Sequence, residues 1–173
     1  MKTPKGTIKE TPLMYETEND IPKAERTELI TLINQRLADL VDLQMQLKQA
    51  HWNVKGPHFI GLHELFDKIA EEVESYVDLA AELIVQLGGI ALGTVREAAV
   101  HSRMEEYPLD IADGHAHVEA VAKALSTFGR EARVTMDEAD KMGDADTADM
   151  FTEISRGVDK WLWFVEAHNQ ASH

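Results

Sequence analysis

Apolar residues recur along most of this chain in the three- and four-residue steps of amphipathic helices. Leu29, Ile33, Leu37, Leu40 and Leu47 open the series. They predict a first helix that starts at Asp20-Ile21-Pro22, with an acid at the cap and a proline in the first turn, and ends near Gly56-Pro57. A second stripe, Leu62, Phe66, Ile69, Val73, Tyr76, Ala80, Leu83 and Leu87, predicts a helix from about Phe59 to Leu87 that Gly88-Gly89 stops. The stretch from Ile90 to Pro108 is mixed, with a short helix expected between Thr94 and Ser102. A third long helix is predicted from near Asp110, with Asp110 and Asp113 as its cap region, to Gly143. It carries Val118, Val121, Leu125, Phe128 and Ala132. The fourth runs from about Asp146 to His168, with Met150, Ile154, Val158, Trp161, Leu162 and Val165 inward.

Two helical hairpins joined by one long connection define an all-α fold, a ferritin-like four-helix bundle with a short helix in the crossover between helices two and three. The expected organisation is a flexible N-terminal arm at 1–20, the bundle at 21–169 and a tail at 170–173.

Composition narrows the chemistry. The 173 residues include five prolines and ten glycines, few enough for long helices, and no cysteine, so disulfides, thiolate zinc sites and iron–sulfur clusters are excluded. No apolar run approaches the roughly 18 residues of a membrane span, and Met1-Lys2-Thr3-Pro4-Lys5 lacks the apolar stretch of a signal peptide. A soluble, cytoplasmic protein that does not engage membranes is expected. The formal net charge of −14 disfavours DNA and anionic lipid over most of the surface. Only Lys2, Lys5 and Lys9, with no acid among them, run the other way, and they are the candidate DNA contacts.

The second helix carries residues that a core does not need. With His63 at zero and 100° per residue, Glu74 falls at about 20°, Asp67 at about 40°, Asp78 at about 60°, Glu71 at about 80° and Glu82 at about 100°. The apolar stripe is centred about 130° away, so this row points out of the bundle. His63 with Asp67, and Asp78 with Glu82, are i,i+4 pairs that can each grip a cation from one helix face. Asp67 and Asp78 are about 16 Å apart along the axis, too far to share an ion. A second copy of the helix, antiparallel across a two-fold axis, brings pair one of each chain to pair two of the other. His51, at the end of the first helix, adds another imidazole near His63. Two imidazoles and three carboxylates suit iron, and open positions suit redox chemistry with a small oxidant.

The run His51-Trp52-Asn53-Val54-Lys55-Gly56-Pro57-His58-Phe59, with Leu62-His63-Glu64 and Phe66-Asp67, closely resembles the signature of the Dps family, mini-ferritins known as DNA-binding proteins from starved cells. Asp78, Glu82, Gln86-Leu87-Gly88-Gly89 and Leu92-Gly93-Thr94 match its second part, and the resemblance runs from about residue 20 to 168. It implies a hollow homo-dodecamer that oxidises Fe²⁺ with hydrogen peroxide at inter-subunit ferroxidase sites, stores ferric mineral inside and protects DNA from oxidative damage. The family's ligands map onto His51, His63 and Asp67 of one subunit and Asp78 and Glu82 of its partner, and Trp52 matches a residue expected to donate an electron. Glu64, Glu71 and Glu74 are candidate nucleation acids. Asp137, Asp140, Asp144, Asp146 and Asp149 are candidates for an acidic pore. His58, His101, His115, His117 and His168 are read as surface histidines.

Two other readings compete. A di-iron enzyme or larger ferritin places Glu-x-x-His pairs inside its core, and no Glu-x-x-His occurs in the sequence. A nucleoid-compacting protein, with DNA bound in the nucleoid and iron oxidation secondary, needs a basic surface that only the arm offers.

Overall fold

The apolar stripes close into one continuous core because each of the long helices presents its stripe to at least one other. The computed structural model describes residues 13–170. It contains α1 (Lys23–Asn53), α2 (Phe59–Gln86), α3 (Val95–His101), α4 (Gly114–Lys141) and α5 (Ala145–Glu166). Helix α1 packs on α2 and α4 on α5, α1 and α4 join the two hairpins, and α3 caps α1 from the crossover. Among the described residues there is no strand, only an isolated bridge between Lys55 and Asp113. The all-helical bundle with a short crossover helix is the expected architecture.

Its edges differ from the periodicity in instructive ways. Asp20 does not cap α1: the cap position is Pro22, without a side-chain hydrogen bond. Helix α4 starts at Gly114 rather than near Asp110, because Asp113 alone accepts from the Ala116 amide and so fixes the first turn. On α5 the fully buried ring is Phe151, whereas Met150 and Leu162 are half-buried, and on α2 Ile84 takes the core position expected for Leu83. In each case two adjacent apolar residues satisfy the period and packing selects one.

Helix α1 buries polar residues as well as apolar ones. Gln35, Asp39, Asp42 and Gln46 lie within about 60° of each other around the helix. Gln35 Nε2 donates to the His101 carbonyl (2.7 Å), and Asp39 Oδ1 accepts from the Arg103 amide (2.6 Å). Asp42 Oδ2 accepts from Ser102 Oγ (2.5 Å), and Gln46 Nε2 donates to the Glu105 carbonyl (2.9 Å). This polar stripe supplies the partners that the irregular backbone of 101–105 lacks. Burial pushes the Asp39 carboxyl up, opposed by the adjacent Arg36 guanidinium at 3.1 Å.

Ahead of α1, the Tyr15 amide donates to Gly88 O (2.7 Å), and Arg26 bridges Ile21 O (3.0 Å) and Leu87 O (2.8 Å). Gly88 has φ +89°, and a Cβ there would sit 2.7 Å from the Tyr15 carbonyl, so the turn that ends α2 doubles as a dock. The rest of the expected arm, including Lys2, Lys5 and Lys9, and positions 171–173 of the expected tail lie outside the described residues.

Candidate metal centre

The turn between α1 and α2 decides the site. Gly56, at φ +110°, reverses the chain within the few residues between Asn53 and Phe59, a conformation that a side chain would strain. The reversal lays the first turns of α2 against the last turn of α1. His51 and His63 stack with ring centroids 3.8 Å apart and planes 21° from parallel. Each imidazole bonds the other residue's backbone: His51 Nδ1 to His63 O and His63 Nδ1 to His51 O, both 2.8 Å. A carbonyl only accepts, so both Nδ1 atoms carry hydrogen and, in the neutral rings, both Nε2 lone pairs are left for a metal. His51 O lies in the last turn of its helix, where carbonyls lack helical donors, so the bond also closes that helix end.

Asp67 follows one turn after His63. Its Oδ1 lies 3.9 Å from His51 Nδ1 and accepts a 2.5 Å hydrogen bond from Lys48 Nζ. That bond holds the Asp67 carboxyl below the usual carboxylate range, with a smaller opposing push from desolvation. The side chains of Lys48 and Asp67 are 30% and 34% exposed. An ammonium is no metal donor, yet Lys48 sits three residues before His51 and hence on the same helix face.

The other predicted pair stands apart. Asp78 and Glu82 are exposed on α2, and neither makes a hydrogen bond or ion pair among the described residues. Helix α2 is unbroken from Phe59 to Gln86, so the separation of about 16 Å between Asp67 and Asp78 holds. Among the described residues no three His, Asp or Glu side chains are placed to hold a metal within one chain. His51, His63 and Asp67 thus meet near the start of α2, and Asp78 and Glu82 face outward further along it without counterpart among the described residues. Apolar groups flank this face: Trp52 is 58% exposed, Ile60 62%, and Phe59 tilts over the His63 ring at 5.1 Å.

The remaining candidates divide. Glu64, Glu71 and Glu74 are exposed. Of the acids at the α4–α5 turn, Asp137, Asp140, Asp146 and Asp149 are exposed, but Asp144 is buried and accepts from the Thr147 hydroxyl, which withdraws it from any pore. His117, expected at the surface, is 1% exposed. Its Nδ1 pairs with the Tyr107 hydroxyl (2.7 Å), and burial lowers its pKa. Its spacing to Val121, Ala124 and Phe128 is that of the inward face and marks it as a core residue.

Residues 30–171 match the family described as Ferritin-like domain. The chain is 41% identical over 156 residues to the DNA protection during starvation protein of Agrobacterium fabrum, covering 90% of this chain and 96% of that one. Among solved structures it is similar to DpsA14 from Streptomyces coelicolor, with TM-score 0.88, 33% identity and coverage of 95% and 96%. It is also similar to Dps of Mycobacterium smegmatis, with TM-score 0.87, 27% identity and coverage of 92% and 96%.

Proposed function

Since this chain belongs to the Dps family of ferritin-like proteins, we propose that it oxidises ferrous iron at centres shared between two subunits and stores the ferric product as mineral inside a homo-dodecameric cage, so shielding DNA from peroxide. The observation that carries this reading is the divided donor set: two imidazoles with free Nε2 atoms beside Asp67 at one end of α2, and two unpartnered carboxylates at the other. A two-fold contact between copies of α2 makes each half complete the other.

Fe²⁺ enters as substrate, drawn by the negative charge of the chain. His51, His63 and Asp67 bind it from one subunit, and Asp78 and Glu82 from the partner subunit. Hard anionic carboxylates gain more from Fe³⁺ than from Fe²⁺ and so favour loss of an electron. Hydrogen peroxide accepts one electron from each of two ferrous ions. Its O–O bond breaks and, with two protons, it leaves as two waters, so no hydroxyl radical escapes. Trp52, adjacent to His51, supplies an electron when only one ferrous ion is bound. Glu64, Glu71 and Glu74 seed the ferric mineral. No helix among the described residues is long and apolar enough to cross a membrane, in keeping with the proposed place of action in the cytoplasm.

The test uses two damaged variants, His63→Ala with Asp67→Ala, and Asp78→Ala with Glu82→Ala. Each alone is expected to lose fast iron oxidation. Dissociated, mixed and reassembled, they regain up to one whole centre per mixed dimer. Absence of recovery in mixtures that mass spectrometry shows to contain mixed dimers would refute the shared centre.

A further inference from the structure

Tyr107 and His117 form a pair that the shared centre does not use. The phenol oxygen lies 2.7 Å from His117 Nδ1, with the two rings 24° from parallel. Burial raises the phenol above its ordinary value and lowers the imidazole, so the phenol keeps its proton and the ring is neutral. A neutral imidazole has one N–H and one lone pair. Among the described residues Tyr107 makes no other hydrogen bond, and the Ile111 backbone draws a proton onto the ring. Tyr107 therefore donates to Nδ1, and the buried Nε2 carries the ring hydrogen. Tyr107 also lines a groove of about 540 Å³ between α1 and the crossover. Met45, Gln49 and Trp52 line it from α1, at helical spacing, and Met104 and Leu109 from the crossover. The phenol thus faces the same groove as the indole that adjoins His51.

A phenol that loses an electron becomes a strong acid, and a buried one needs a base within hydrogen-bond reach. His117 Nδ1 is such a base. The Asp113 carboxylate favours the imidazolium that results, against a smaller push from Lys55. We propose that Tyr107 is the electron donor that refills Trp52, with His117 as its proton acceptor. This rests on the reading above, in which peroxide that meets a single ferrous ion takes its second electron from Trp52. With one electron from Fe²⁺, one from Trp52 and two protons, peroxide leaves as two waters, and Fe³⁺ and an indole radical cation remain. One electron then passes across the groove from Tyr107 to Trp52. The phenol O–H bond breaks as its proton bonds to Nδ1. Trp52 is restored, and a neutral phenoxyl radical beside an imidazolium holds the oxidising equivalent away from the metal ligands. A later ferrous ion returns the electron through Trp52 and becomes ferric, and the proton goes back to the phenol oxygen.

The transfer is read without iron. Azide radicals made by pulse radiolysis oxidise indoles in preference to phenols, and the two amino-acid radicals absorb at different visible wavelengths. In the full-length, metal-free protein, part of the indole signal is expected to decay as a phenoxyl signal grows, at a rate independent of protein concentration and slower in heavy water. Tyr107→Phe and Trp52→Phe each abolish that phase. His117→Gln, which keeps an acceptor of far weaker basicity, slows it about a hundredfold. The exposed Trp163 supplies an indole signal that persists in every variant. With iron at one ferrous ion per centre and peroxide, freeze-quenched electron paramagnetic resonance is expected to find a phenoxyl radical in the wild type and an indole radical in Tyr107→Phe. No phenoxyl growth in the wild type, growth that survives in Tyr107→Phe, or an indole radical in the iron-loaded wild type overturns the proposal. Metal-free transfer in a protein that oxidises no iron leaves the relay standing and overturns the proposed function.

Discussion

At the scale of single residues, the α2–α5 crossing turns on the absence of one carbon. A Cβ at Gly157 would overlap the hydroxyl of Tyr76, which donates to Glu72 Oε1 at 2.5 Å. Gly157→Ala is expected to cost about 1–3 kcal/mol by overpacking, and Tyr76→Phe, by removing the hydroxyl, recovers part of that loss. A double-mutant cycle of urea midpoints reads the coupling, and strictly additive effects would contradict it. Four of the five proposed ligands, His63, Asp67, Asp78 and Glu82, were legible in the sequence because metal donors at i,i+4 spacing stand out on a face that packing does not need, and His51 was legible from its place at the end of the first helix. Lys48 was not, since a lysine on a helix next to acids is ordinary and only the fold brings residues 48 and 67 together. His117 was misread for a different reason: its position near a helix start suggested exposure, while its period pointed inward.

At the scale of elements, the crossover depends on α1 as a template. The polar positions 35, 39, 42 and 46 have helical spacing, and a sequence cannot say whether such a stripe faces water or a buried backbone. Here it faces residues 101–105, meeting backbone at His101, Arg103 and Glu105 and the Ser102 hydroxyl between them. Asp39→Ala strands the buried Arg103 amide and takes from Arg36 one of its two carboxylates, the other being Glu131 at 2.7 Å, and is expected to cost about 1–3 kcal/mol. Gln46→Ala, losing its bonds to Glu105 O and to Asp42 Oδ1, is expected to cost about 1–2 kcal/mol. Chemical denaturation ranks the two. The same crossover is pH-dependent through His117, whose folded pKa is depressed by burial. Between that value and the unfolded value of about 6.5, the unfolded chain binds more protons, so stability is full above this window and falls as the pH is lowered through it. Amide protection around Tyr107, taken relative to the intrinsic exchange rate at each pH, is expected to fall as the pH drops below about 6.5, and His117→Phe should remove most of that dependence.

At the scale of the whole molecule, α2 is the proposed unit of assembly. Its inner face builds the core and its outer face carries two separated donor pairs, His63 with Asp67 and Asp78 with Glu82, so the periodicity implied a partner chain. The cage and its symmetry came only from the family resemblance, because they depend on contacts beyond this dimer. Light scattering is expected to find a dodecamer, and an active monomer would contradict it. The −14 charge leaves the N-terminal arm as the only attractive element for DNA. Deleting residues 1–10 should abolish gel retardation of DNA at low salt and leave iron oxidation intact; retained retardation would exonerate the arm. Trp52 has a further consequence. Its indole is 58% exposed in the single chain, one residue from His51, while Trp161 is buried and Trp163 is exposed near the C-terminal end of α5. If, as proposed, a partner subunit covers the face beside the α1–α2 turn, the Trp52 ring is expected to leave water and its emission to shift to the blue. When iron arrives beside it, that emission is quenched. The difference spectrum against Trp52→Phe, in which the other two indoles cancel, makes the protein its own optical gauge of pairing and of metal loading, in that order.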